Sequence, residues 1–199
     1  MGTLTSADGA SSARALADDV LAGAARLGPV RLLCIDGPAG SGKTTTAAAV
    51  AAVLRARGAT ATVVHLDDLY EGWSGLEGTL WPRLAAQVLE PLRRGRPGRF
   101  QRYDWIAHRF AEWVDVPLAT VLVLEGCGSA RREADAVATL RVWVEAPPAE
   151  RLARGLARDG TAMRGHWEDW MRREARHFAH ERTAERADVR LDGCGRMTR

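Results

Sequence analysis

Gly37-Pro38-Ala39-Gly40-Ser41-Gly42-Lys43-Thr44 decides the fold of this chain, because it matches G-x-x-x-x-G-K-[ST] in full. What flanks it matches as well as the string does. Residues 30–36 (VRLLCID) form a short apolar run that reads as a buried strand. The Ala-rich stretch from Lys43 to residue 57 reads as a helix closed by Gly58. Strand, glycine-rich turn and helix in that order make a cradle for phosphate. Glycine lets backbone N–H groups turn inward where a Cβ would obstruct them, and the helix N-terminus adds partial positive charge at the same place. Lys43 is then expected to reach the β- and γ-phosphates of ATP, and Thr44 to offer its hydroxyl to Mg²⁺. Gly37, Pro38, Ala39, Gly40, Ser41, Gly42, Lys43, Thr44 and Thr45 are all expected around the nucleotide. Lys43 is the single lysine among 28 basic residues, so an arginine-biased chain keeps lysine where the cradle needs it.

Outward from this loop, strand-like and helix-like stretches alternate, the mark of an α/β domain on a parallel sheet. A first helix is expected over 13–27, ending at Gly28-Pro29, and residues 1–12 are expected to be a disordered lead-in. Residues 60–66 (TATVVHL), 119–125 (ATVLVLE), 140–145 (LRVWVE) and 187–191 read as further strands. Residues 80–94 look helical and 95–98 (GRPG) form a turn; Pro147-Pro148 open another helix, and a long one covers 166–186. Residues 13–199 are thus expected to be one domain, a three-layer fold with a parallel sheet flanked by helices and a small arginine-rich lid at about 151–165.

Two strand ends carry acids. Asp67-Asp68-Leu69-Tyr70 follows the second strand, expected beside the strand that enters the glycine loop, where ligands of open α/β sheets bind. Asp67 there can take the proton of an attacking hydroxyl as a general base; equally, the pair can be loop acids that cap a helix or face solvent. Glu125 ends the third strand and can hold Mg²⁺, with Thr44, as a Walker-B carboxylate does, or be a solvated strand-end acid. Arg151, Arg154 and Arg158 share one helix face, with Arg164 beyond them. Guanidinium forks suit phosphoryl oxygens, so this is a candidate lid; a solvated basic face is the alternative. Trp73, Trp81 and Trp105 lie where an acceptor would sit and can stack on a planar molecule. Trp167, Trp170 and Phe178 fit a buried helical stripe, Glu174 and His177 carry no assigned role, and the turn 126–129 offers amides toward a ligand.

The chain resembles the uridine–cytidine kinases within the P-loop nucleoside kinases. Four features carry the resemblance: the Gly37–Thr44 loop, Asp67-Asp68-Leu69-Tyr70, Tyr103-Asp104-Trp105-Ile106-Ala107-His108, and the 151–165 lid. It implies Asp67 as catalytic base and Tyr70 near the acceptor sugar. It implies Tyr103 and His108 on the base of a pyrimidine nucleoside, with Trp105 beside them. Arg158 and Arg164 would close over the phosphates as catalytic residues with Lys43, and Arg154 would join the nucleotide contacts. The Phe-Asp-His-Pro segment of such kinases is not found in 71–98, where Glu77 is the one acid able to substitute.

Composition bounds the rest. At 199 residues, 46% of them hydrophobic, the chain can bury a full core as one domain. No run approaches the roughly 18 apolar residues of a membrane span, and no basic stretch precedes an apolar one at the N-terminus, so a cytoplasmic place without membrane attachment is expected. Cys34, Cys127 and Cys194 are too far apart in sequence for a metal-binding pattern, and the first two read as buried thiols. A net charge of +3 with no basic-aromatic cluster argues against nucleic acid. A kinase acting on a small-molecule hydroxyl is expected, with a pyrimidine nucleoside favoured over other hydroxylated metabolites. A P-loop ATPase switch acting on a protein partner is the alternative, and a homo-oligomer is left open.

Overall fold

The apolar run before the glycine loop forms strand β1 (Arg31–Asp36), whose side chains divide between two cores. Leu32 and Cys34 enter one; Leu33 and Ile35 enter the other. A strand buried on both faces needs cover on both sides. In the computed structural model, which describes residues 7–198, helices α1 (Ala7–Ala22) and α2 (Lys43–Ala56) pack together over the Leu33–Ile35 side. Strand β2 (Ala61–His65) follows α2. The opposite face is covered by α3 (Leu80–Leu84), a π turn (Ala85–Leu89) and α4 (Glu90–Arg93). The π turn precedes Pro91, which has no N–H to donate and whose ring crowds the carbonyl four residues back.

Strands β3 (Gly98–Asp104) and β4 (Arg109–Val116) pair antiparallel as a separate two-stranded sheet. The chain continues through β5 (Val121–Glu125), β6 (Ala138–Glu145), α5 (Pro148–Asp159), α6 (Arg164–Glu181), α7 (Thr183–Arg186), β7 (Val189–Asp192) and β8 (Met197–Thr198). The main sheet runs β2-β5-β1-β6-β7-β8, parallel except for the edge strand β8. Sheet, flanking helices and glycine loop form the three-layer α/β fold of P-loop kinases, as expected.

Four expectations need correcting. The first helix starts at Ala7 and ends at Ala22, five residues before the expected end. Its buried stripe of Ala13, Leu16, Ala17 and Val20 has helical spacing, so the turns that precede it extend a helix already anchored. Residues 7–12 of the expected lead-in are therefore helical, and residues 1–6 lie outside the described residues. Second, β2 does not adjoin β1; β5 lies between them. Third, the β3–β4 hairpin went unread, although Asp104 signals its turn: Oδ1 accepts from the amides of Ile106 and Ala107, both at 2.9 Å. Fourth, the expected helix over 166–186 breaks at Arg182, whose φ is +53°, into α6 and α7.

Candidate active site

The parallel strands β2, β5 and β1 end side by side, and their terminal residues face the N-terminus of α2. Gly37 and Gly40 lie in the left-handed region, with φ of +143° and +78°. A Cβ on Gly37 would sit 2.1 Å from the carbonyl oxygen of Val144, and one on Gly40 would sit 2.7 Å from that of Arg151. Only glycine fits either place, so the loop hugs β6 and the start of α5. The first i→i−4 bond of α2 runs from the amide of Thr46 to Gly42 O (3.0 Å). The amides of Lys43, Thr44 and Thr45 precede it and open toward the cradle.

Lys43 is buried and donates from Nζ to Pro38 O at 2.9 Å. Burial alone would lower its ammonium, but Cys127, whose Sγ lies 3.8 Å from Nζ, and the acids Glu125, Asp67 and Glu174 raise it above the ordinary value. Thr44 donates from Oγ1 to Glu125 Oε1 at 3.1 Å. Glu125 is buried at the end of β5 and also meets His65 Nδ1 at 2.5 Å. That hydrogen bond to Glu125 is the main cause that raises the His65 imidazole. A hydroxyl beside a carboxylate is the donor set Mg²⁺ takes when phosphates and waters complete its shell. The cradle and this pair fit ATP–Mg²⁺.

Asp67 lies in the short turn after β2 and is exposed. Desolvation by the surrounding protein raises its carboxyl, opposed by Lys43 and Arg158 and reinforced by Glu125 and Asp68. The pairing of His65 with Glu125 puts the turn that carries Asp67 beside the end of β5. Asp68 is also raised, mainly by burial, and its charge couples to His65 and Arg102 rather than to Lys43.

The lid arginines behave differently from one another. Arg154 donates to Gly40 O at 3.1 Å, so it lies on the glycine loop. Arg158 chelates Asp159 with Nε at 2.7 Å, rests 5.6 Å from the ring of Trp167, and acts on Asp67. Arg164 pairs with Glu168 at 3.5 Å, with both side chains exposed, and is not brought to the cleft. Arg151 is buried and structural.

On the acceptor side, Trp105 donates from Nε1 to Asp67 O at 3.0 Å, which ties the hairpin to the candidate base. Trp105 meets Tyr103 and Trp73 edge-on, each at 5.5 Å, and Trp73 stacks on His166 at 5.3 Å. Two residues differ from expectation. Tyr70 is 1% exposed, donates to Cys127 O at 2.8 Å and packs on Trp170, so it is a core residue out of reach of an acceptor. His108 sits exposed in the hairpin turn with φ +51°, outside the aromatic group. Tyr103 is buried against Trp105 and Phe110. Trp81 packs on the core with Arg131 over its ring, and Glu77 is exposed, its charge acting on His177.

Sequence reasoning missed the residues that hold the site together. Asp36, fully buried, accepts from the amides of Gly37 (2.7 Å), Gly128 (2.9 Å) and Ala130 (2.8 Å). It fixes the start of the glycine loop and the turn after β5, whose amides at 128 and 130 are therefore engaged and not free for a ligand. Burial pushes its carboxyl up to about 6 against those three donors. An acid closing an otherwise apolar run was the signal. His65, two residues before Asp67, gave a similar one.

No family model matches the sequence, and no curated protein matches it. Solved structures do. The chain is similar to a possible uridine kinase from Bacillus stearothermophilus at 23% identity, with 92% of this chain and 98% of that one covered and a TM-score of 0.69. A candidate fructose transport system kinase from Silicibacter sp. TM1040 matches at 23% identity over 90% and 98% of the chains, with a TM-score of 0.62. D-glycerate 3-kinase from Cryptococcus neoformans matches at 14% identity over 87% and 84%, with a TM-score of 0.53. The fold they share with this chain is that of P-loop kinases.

Proposed function

We propose that this chain is an ATP-dependent kinase that moves the γ-phosphoryl group onto a hydroxyl of a small molecule. One observation carries the proposal: Thr44 meets Glu125 at the N-terminus of α2, and Glu125 is paired across β5–β2 with His65, two residues before Asp67. Such an arrangement serves in-line transfer, in which positioning and charge neutralisation do most of the catalytic work. Asp67 accepts the proton as the acceptor oxygen bonds to the γ-phosphorus and the bond to the bridging oxygen of ADP breaks. Lys43, released from Pro38 O, and the loop amides hold the phosphates, while Arg154 and Arg158 neutralise charge on the lid side. Arg164 reaches the phosphates only after leaving Glu168. Thr44 and Glu125 would hold Mg²⁺, which would supply positive charge to neutralise that of the phosphates.

The acceptor faces Asp67 and the partly exposed rings of Trp105 and Trp73, with Tyr103 buried behind them, which supports a planar molecule with a hydroxyl, pyrimidine nucleosides first. Tyr70 and His108 do not support that choice in the places they occupy. Use of ATP fits a cytoplasmic setting, and among the described residues no helix is long and apolar enough to cross a membrane.

The test is ADP release against a panel of nucleosides, sugars and hydroxy acids, with a no-acceptor control. Acceptor-dependent release with uridine or cytidine supports the full proposal. Release with another metabolite retains the kinase and replaces the acceptor. Equal release without any acceptor favours an ATPase switch and overturns the proposal.

A further inference from the structure

Glu174 is 1% exposed, lies on α6 and has no part in the transfer outlined above. Its Oε2 accepts from the amide of Ala39 at 2.8 Å and from Trp170 Nε1 at 2.9 Å. Its Oε1 takes Arg151 Nη1 at 2.7 Å. Arg151, also buried, donates from the same Nη1 to the carbonyl of Ala39 at 3.3 Å and from Nε to that of Ala146 at 3.1 Å. The ion pair thus grips both polar backbone atoms of Ala39, the third residue of the glycine loop. Cys127 adds a thiol donor to Glu174 Oε2 at 3.5 Å.

A buried ion pair is a poor device for stability alone. Removing two charges from water costs about as much as their attraction returns, and apolar residues of similar volume do as well or better. An apolar pair would, however, leave the partly buried amide and carbonyl of Ala39 without these partners. Trp170 extends the same cluster to the acceptor side, since its ring lies 5.1 Å from Tyr70 and 6.1 Å from Trp73.

We propose that Glu174 is a positioning residue of the phosphate loop: with Arg151 as its brace, it holds Ala39 so that the loop is shaped for nucleotide before nucleotide arrives. The proposal rests on the kinase function above. Two double variants test it by calorimetric titration with ADP–Mg²⁺, which needs no acceptor. One is Arg151→Met with Glu174→Met; the other is Arg151→Met with Glu174→Gln, which restores one oxygen facing Ala39. Both remove the charges and are expected to stay folded at the titration temperature, the Met–Met chain melting lower because Ala39 loses both partners there. The Met–Met chain is expected to bind ADP–Mg²⁺ about ten-fold or more weakly, and the Met–Gln chain to recover to within about three-fold of wild type. Equal affinities in the two overturn the positioning role. Should either fail to fold, hydrogen exchange at the Ala39 amide of the wild-type chain decides: strong protection supports the bond, and exchange at the unfolded rate overturns it. If the wild-type chain itself does not bind ADP–Mg²⁺, the kinase proposal falls first and this one with it.

Discussion

Lys43 rests on Pro38 O and is surrounded by acids, so in this state its charge is held inside the protein. Nucleotide phosphates offer it stronger partners in the same place. Lys43→Ala is therefore expected to lower transfer by about a hundred- to a thousand-fold, with an unchanged circular dichroism spectrum; activity near wild type would remove the loop from the mechanism. Asp67 allows a sharper test. A general base acts when ionised, and the surrounding protein raises the Asp67 carboxyl above its ordinary 3.8. Activity should thus fall as pH drops through that raised value, giving an acid limb in kcat/KM above the usual aspartate range. Asp67→Asn should lose about a hundred- to ten-thousand-fold in kcat and remove that limb, with little change in ADP affinity; a larger effect from Asp68→Asn would move the role one residue along. These residues were legible because their motif fixes both type and spacing. Asp36, Glu174 and His65 were not, because each acts through partners that are distant in sequence. Glu174 lies 135 positions from the Ala39 amide it holds.

At the scale of elements, the glycine loop is the tightest joint in the fold. Gly40→Ala places a methyl group against Arg151 O in a backbone region that alanine resists, at a cost of about 1–3 kcal/mol. Urea unfolding should show that loss, and ADP–Mg²⁺ binding should weaken with it; an unchanged midpoint would contradict the loop geometry. The strands of the sheet were legible to within a few residues, since buried parallel strands are continuous apolar runs. The β3–β4 hairpin was not, because it is half-buried and interrupted by a register shift between Gln101 and Tyr103. Its turn is made by a side chain, Asp104, instead of by the glycine pairs that usually announce one.

For the molecule as a whole, two cores lie on opposite faces of one sheet. Leu16 of α1 is fully buried in one and Leu84 of α3 in the other. Leu16→Ala and Leu84→Ala should each cost about 2–5 kcal/mol, and the double variant should lose their sum to within about 0.5 kcal/mol. A clear departure from additivity, read from urea midpoints, would mean that the two faces are not independent. The strand order escaped the sequence: each crossover is compatible with more than one neighbour, so β5 could not be placed between β1 and β2 beforehand. That placement matters, because it sets Glu125 between the loop and Asp67. The proposed transfer goes to an acceptor rather than to water, and phosphorus NMR of a reaction with ATP, Mg²⁺ and the acceptor found by the panel separates the two. Equal amounts of ADP and a new phosphate monoester, absent with Lys43→Ala, are the predicted result; inorganic phosphate formed at the same rate with or without acceptor would contradict it.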